Sequence, residues 1–220
     1  KVVIKGISSS EKVITAGVPQ GSILGPLLFK LFINDFGHNL ISDSYLFADD
    51  ASILKLYYPN ALKEAITQIN SDLESILSWA KIWRIKFNYS KTEFMIFTPN
   101  GKYPTDTTIS FGPDTIKPVS KHTHLGMTLS NDLKWTEHID NLVSVCNKRI
   151  GLLRRQSSIL TFEQKCQVYL SIVRPKIEYG SVLYDSCSTV DAIKLDHLQR
   201  KAGLVCSGAM YIMDLDPKPR

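Results

Sequence analysis

Two adjacent carboxylates, Asp49 and Asp50, stand between the β-rich runs Tyr45 to Ala48 and Ala51 to Leu56, with no room between the runs for more than a tight turn. Like charges placed side by side repel unless a cation sits near them. Mg2+ meets that need, because it takes hard oxygen ligands from one or two carboxylates and completes its shell with phosphate oxygens and water. Asp is also a common turn residue, so a solvated hairpin tip competes as the reading of the pair alone. Tyr45, Leu46 and Phe47 before the pair, with Ile53 and Leu54 after it, are expected to bury the strands and leave only the tip wet.

About 30 residues upstream lies Gly17-Val18-Pro19-Gln20-Gly21-Ser22. Its glycines allow close approach of the backbone to a ligand, Pro19 stiffens it, and Gln20 offers both a donor and an acceptor. Alone it also reads as a plain loop. Lys91, within Asn88 to Thr92, is either a surface cation or, if aimed at the carboxylate tip, a group that neutralises phosphate or donates a proton to a leaving group. Lys148-Arg149 and Arg154-Arg155 are by default a solvated helix face; on a nucleic-acid-binding element they would meet phosphates. His122 and His124 alternate onto one strand face without an evident third ligand, so they are not assigned a metal. Trp79 and Trp83, four apart, read as core packing.

These groups need elements to carry them. Val2 to Lys5 and Lys12 to Ala16 suggest a hairpin around Gly6 to Glu11. Leu24, Leu27, Leu28, Leu31 and Phe32 predict a helix after the glycine loop, with Pro26 in its first turn and Gly37 as its stop. From an N-cap at Asn60, the stripe through Leu62, Ala65, Ile69, Leu73, Ile76, Ala80 and Trp83 predicts the strongest helix. Strands follow at Phe94 to Phe97, at Thr107 to Phe111 with Thr115 to Val119, and at His124 to Leu129. After Trp135 the period is helical: Ile139 to Leu153, then Phe162 to Val173 capped by Thr161 with Gln164 and stopped near Pro175, then a helix capped by Ser188 with Asp191. The fold class is therefore α+β, with sheets and helices up to about residue 135 and a helical region over 136–220.

A chain of 220 residues with 44% hydrophobic and 21% charged residues can build a core, which excludes a disordered chain. Its longest apolar stretches are too short to span a membrane. Four cysteines without a Cys-Xaa-Xaa-Cys pair exclude a zinc ribbon and favour free buried thiols. The net charge is +5, and residues 136–220 hold twelve basic against nine acidic side chains, so the surplus leans towards the helical end.

In this order, AGVPQGSILGPLLFKLFINDF at 16–36, YLFADDASIL at 45–54, LSWAKIWRIKFNYSKTEFMIF at 77–97 and HLGMTLSNDLKWTEHI at 124–139 resemble the reverse transcriptases of non-LTR retrotransposons, the jockey-like insect elements in particular. The resemblance implies a right-hand polymerase, with a partial palm over 1–135 (an antiparallel sheet with packed helices) and a thumb or connection region over 136–220. It implies RNA-directed DNA polymerase chemistry: nucleotidyl transfer from a dNTP to a DNA primer on an RNA template, with Mg2+, or Mn2+, as cofactor. By the same likeness Asp49 is the direct metal ligand and Asp50 the less direct one. Pro19, Gln20, Gly21 and Ser22, with Phe47 and Ala48 of the carboxylate box, bind nucleotide and template. Lys91 is the general acid on pyrophosphate, and Leu125 and Gly126 belong to the hairpin that grips the primer. Lys148, Arg149, Arg154 and Arg155 face the nucleic-acid backbone. Phe47 stands where many relatives carry Tyr.

The family has a further catalytic aspartate upstream of the glycine loop, and Asp35 and Asp43 lack its context. The chain is accordingly expected to be part of a longer polyprotein that supplies the fingers and that acid, and to be inactive alone. A non-catalytic nucleic-acid-binding remnant is the alternative. Nuclear localisation follows from the family only, and no membrane partner is expected.

Overall fold

The computed structural model describes residues 1, 3–11, 13 and 17–209. Its architecture is α+β, with two-stranded sheets and packed helices. Contacts group it into two compact units, residues 1–91 with 109–115, and residues 92–108 with 116 onward.

In the first unit, β1 (Val3–Ile4) pairs with β2 (Ile7–Ser8) across Lys5 and Gly6, both at positive φ (+49° and +81°). The expected hairpin is thus tighter than the sequence suggested, because two left-handed residues reverse the chain in the smallest loop. The run Lys12 to Ala16 lies outside the described residues apart from Val13. Helix α1 (Gly25–Ile33) begins with Pro26 in its first turn, as expected. The face that packs, however, is Phe29, Phe32, Ile33 and the buried Phe36, whereas Leu24, Leu27, Leu28 and Leu31 are exposed. A helix that is apolar all round offers no single stripe for periodicity to choose. Gly37 does not stop the helix; it lets the turn pass against β3, where a Cβ would collide with the Ser44 hydroxyl.

Strands β3 (Asp43–Phe47) and β4 (Asp50–Leu54) form an antiparallel hairpin. Tyr45, Leu46, Phe47 and Leu54 are exposed rather than buried, since a two-stranded ribbon cannot cover its own faces. Helix α2 (Leu62–Trp83) follows the expected stripe, burying Ala65, Leu73, Ile76 and Ala80. Its N-cap is Ala61 instead of Asn60, and no side chain caps it. Strand β5 (Ile109–Phe111) buries Ile109 and Phe111, and Ser110 donates its backbone N–H to Asn70 of α2 at 2.9 Å. Edge-to-face contacts join Phe32 to Trp83, Phe36 to Trp79 and Tyr89 to Phe111, each at 5.2 Å between ring centres. Trp79 and Trp83 do pack on these rings, but at the edge of the core and not within it, since Trp79 is half-buried and Trp83 is 39% exposed. Strand β6 (Asp114–Ile116) pairs with β5.

In the second unit, the expected strand at Phe94 to Phe97 is only a single bridge from Phe94 to Pro118. The stretch read as one strand from His124 to Leu129 turns in its middle: β7 (Lys121–His124) pairs with β8 (Met127–Ser130) across Leu125 and Gly126. An apolar Leu-Gly turn hides within an otherwise continuous β pattern. From Thr136 on, the described elements are helical: α3 (Thr136–Arg155), α4 (Phe162–Val168), α5 (Arg174–Glu178), α6 (Ser181–Tyr184) and α7 (Thr189–Ser207). The capping box at Thr161 and Gln164 and the Ser188 cap on Asp191 are both formed. Pro175 does not stop its helix. It lacks an N–H and crowds the carbonyl four residues back, so the chain widens into a π turn at Tyr169–Val173 and continues as α5. Ile139, Leu142, Cys146, Ile150 and Leu153 of α3 pack with Val173, Ile177, Leu198, Ala202 and Val205 in one core. All four cysteines are free thiols, Cys146 and Cys206 buried. No helix among the described residues is long and apolar enough to cross a membrane.

Candidate active site

Phe47 of β3 is paired directly with Asp50 of β4, which leaves Ala48 and Asp49 as the two-residue turn. The acidic pair is therefore split: Asp49 is in the turn and Asp50 is the first residue of a strand. Ala48 has φ +52°, a conformation that a residue with a Cβ adopts at a cost. Both carboxylates are exposed, and among the described residues neither has an ion-pair or hydrogen-bond partner. Two neighbouring acidic oxygen donors without an internal cation are a donor set suited to a hard divalent ion. No third His, Cys, Asp or Glu groups with them among the described residues.

The hairpin is held from below by a residue that sequence reasoning passed over. Asp72 of α2, 1% exposed, accepts the backbone N–H of Ile41 and of Ser42, each at 3.0 Å, just before β3 begins. Burial alone would raise its pKa, but hydrogen bonds from Ser42, Ile41 and Gln68 outweigh that and hold it below the ordinary Asp value of 3.8. The signal was present: an acid inside an apolar helical stripe, beside Leu73 and one turn before Ile76, needs a buried partner.

In the glycine loop, the Ser22 N–H donates to the Pro19 carbonyl at 3.2 Å, and Gly21 has φ +81°. That is a turn with Gln20 and Gly21 at its centre, and the positive φ at its third residue calls for glycine. Pro19, Gln20 and Gly21 are exposed and Ser22 is half-buried. A Cβ on the buried Gly25 would lie 2.8 Å from the Ser22 hydroxyl, so the loop is folded back onto the start of α1. Lys91 ends a 3-10 turn (Tyr89–Lys91) whose tyrosine packs on Phe111; no hydrogen bond or ion pair joins it to Asp49 or Asp50. Asp35 is committed elsewhere, accepting the indole N–H groups of Trp79 and Trp83.

In the second unit, Leu125 (φ +47°) and Gly126 (φ +78°) form the β7–β8 turn, and the Tyr179 hydroxyl donates to the Leu125 carbonyl at 2.7 Å. Lys148, Arg154 and Arg155 are exposed on α3. Arg149 is half-buried and gives its guanidinium to the carbonyl of Ile172, a residue of the π turn. His122 pairs with Glu93 and stacks on His124 at 6.0 Å. His138 of α3 is 5% exposed: its Nδ1 accepts the Thr128 N–H, its Nε2 has no hydrogen-bond partner among the described residues, and its ring lies against Trp135 and Tyr184.

The profile of the reverse transcriptase (RNA-dependent DNA polymerase) family matches residues 2–150. The chain is 29% identical over 210 residues to a probable RNA-directed DNA polymerase from transposon BS of Drosophila melanogaster, covering 90% of this chain and 23% of that protein. It is 28% identical over 224 residues to the RNA-directed DNA polymerase from mobile element jockey of the same species, covering 96% and 24%. A Pol polyprotein from a type-1 retrotransposable element of Nasonia vitripennis is 30% identical over 148 residues, covering 63% of this chain and 35% of that protein. The chain thus spans about a quarter of the length of the first two relatives. No solved structure matches it.

Proposed function

The chain belongs to the reverse transcriptase (RNA-dependent DNA polymerase) family, and from that premise we propose that it carries the carboxylate hairpin and the primer-holding elements of a retrotransposon's RNA-directed DNA polymerase. The reaction is attack of a DNA primer 3′-hydroxyl on a deoxynucleoside triphosphate, directed by an RNA template. The observation that carries this reading is the Ala48-Asp49-Asp50 turn: a strained, exposed reversal that presents two carboxylates with no internal cation to neutralise them. The two-residue loop sets the positive φ at Ala48, and it leaves both acids facing solvent at the tip.

Asp49 and Asp50 would hold Mg2+ or Mn2+, which when bound supplies charge neutralisation to the triphosphate and the attacking oxygen. Asp72 keeps the base of the hairpin fixed, so the two acids are set by the fold before any ligand arrives. The turn at Pro19 to Ser22 offers an exposed Gln20 amide and a close-approach glycine to template and nucleotide, with Phe47 and Ala48 beside the acids. Lys91 is assigned the proton given to departing pyrophosphate, and Leu125 and Gly126 the primer end. Residues 1–135 then act as part of a palm and the helices beyond as thumb or connection, with Lys148, Arg154 and Arg155 meeting phosphates. The fingers and a further carboxylate belong, in this proposal, to the rest of a polyprotein about four times as long. A nuclear site of action rests on the family alone.

The test is extension of a DNA primer on an RNA template by protein containing this chain. Extension should be lost in Asp49→Asn and Asp50→Asn while duplex binding persists. Extension indifferent to both substitutions overturns the assignment, and duplex binding by every such protein without any extension points to a non-catalytic nucleic-acid-binding remnant.

A further inference from the structure

We propose that Tyr179 and Lys176 form an additional contact for the primer strand, Tyr179 as a positioning residue for the Leu125–Gly126 turn and Lys176 as a ligand to a backbone phosphate. The inference rests on the reading of that turn as the primer-holding element.

A two-residue turn with Leu125 at φ +47° uses a conformation that side chains with a Cβ rarely adopt, and something must hold it. The Tyr179 hydroxyl does so, donating to the Leu125 carbonyl at 2.7 Å from 54 residues away. The tyrosine ring also flanks the exposed Gly126, where an added Cβ would lie 3.5 Å from it, at ordinary contact distance. The strands of the hairpin have a separate anchor. Met127 already anchors it in the core, against Gly180, whose lack of a Cβ (φ +67°) leaves room for the methionine sulfur 2.6 Å from where that atom would stand. Tyr179 is therefore spent on the shape of the turn, and it remains 51% exposed.

Lys176 places its ammonium 5.8 Å from the centre of the same ring. A cation held over an aromatic ring, next to a bare glycine backbone, is a combination that takes a backbone phosphate: the ring fixes the ammonium and the ammonium supplies the counter-charge. Among the described residues no acid pairs with Lys176, and its neighbour Arg174 is engaged by Glu178.

The experiment is fluorescence anisotropy of this chain with an RNA template annealed to a labelled DNA primer with a recessed 3′ end, against a blunt duplex of the same length. Tyr179→Phe should weaken binding to the recessed substrate about fivefold, as relaxation of a turn held by one hydrogen bond allows, and spare the blunt one, with no more than the small fall in melting temperature that one lost internal bond brings. Lys176→Ala should lower the slope of log affinity against log salt by about one on the recessed substrate. A purely structural tyrosine would weaken both substrates alike. If Gly126→Val weakens recessed binding but Tyr179→Phe does not, the inference alone is overturned. If the parent chain does not distinguish the two duplexes and Gly126→Val changes neither, the reading of the turn fails and the inference with it.

Discussion

The Asp35 carboxylate accepts the indole N–H of Trp79 at 2.8 Å and, through its other oxygen, that of Trp83 at 3.2 Å. One acid after α1 thus ties two aromatic residues of α2 and cannot serve as a metal ligand without releasing them. Asp35→Ala should destabilise the first unit by about 1–2 kcal/mol, the range for hydrogen bonds to a charged acceptor at a partly wet site. Tryptophan-monitored urea unfolding checks this, and an unchanged midpoint would mean the two bonds contribute nothing.

Asp72 supports a second expectation with a pH signature. Its folded pKa lies below the ordinary 3.8, so the native state binds fewer protons than the unfolded chain. The stability it contributes is complete above that value and is lost as pH falls through the folded pKa. Asp72→Ala leaves the Ile41 and Ser42 N–H groups without their acceptor and should cost about 3 kcal/mol. It should also flatten the acid limb of a stability-against-pH curve, as read by chemical denaturation at several pH values. A variant with the parent's acid limb would remove Asp72 from this role.

His138 acts in the same direction at a higher pH. Burial, reinforced by the Lys176 charge, holds its pKa below the ordinary 6.5, so the folded protein keeps it neutral while the unfolded chain takes up the proton. Its contribution is present above 6.5 and is lost as pH falls through the depressed value. Thermal melts of His138→Gln should show a lower melting temperature near neutrality and a shallower decline than the parent between about pH 7 and 5. Parallel declines would exclude the imidazole as the cause.

The basic residues of α3 separate into two kinds. Arg154→Ala with Arg155→Ala should reduce the salt slope of duplex binding by about two, as loss of two phosphate contacts requires. Arg149→Ala should instead lower stability, because its guanidinium serves the Ile172 carbonyl at the π turn. Salt titrations and melts of both variants distinguish the roles, and a slope unmoved by the double substitution would make Arg154 and Arg155 an ordinary solvated helix end that complements the helix dipole.

Much of this was legible in the residues. The α2 stripe, the capping box at Thr161, the Ser188 cap and the tight turn at the acidic pair all follow from local patterns that tertiary structure did not override. What escaped was set by long-range partners. Asp72 stands inside the apolar stripe of its helix, but its partners, the N–H groups of Ile41 and Ser42, lie about 30 residues away, and Arg149 looks like its neighbour Lys148 until the Ile172 carbonyl meets it. The β7–β8 turn was missed by alternation because Leu125 is apolar, and the packing face of α1 because every face of that helix is apolar. The grouping of Asp49 and Asp50 as one tip was also too coarse, since pairing of Phe47 with Asp50 puts one acid in the turn and the other in the strand.

The most direct test of the carboxylate hairpin as a metal site is an Mn2+ titration of the isotope-labelled chain, read by NMR. Selective broadening of the amides from Phe47 to Ala51 in the parent chain, abolished when Asp49 and Asp50 are both replaced by Asn, is the result expected. Absence of local broadening, or broadening that survives the double replacement, would contradict the account.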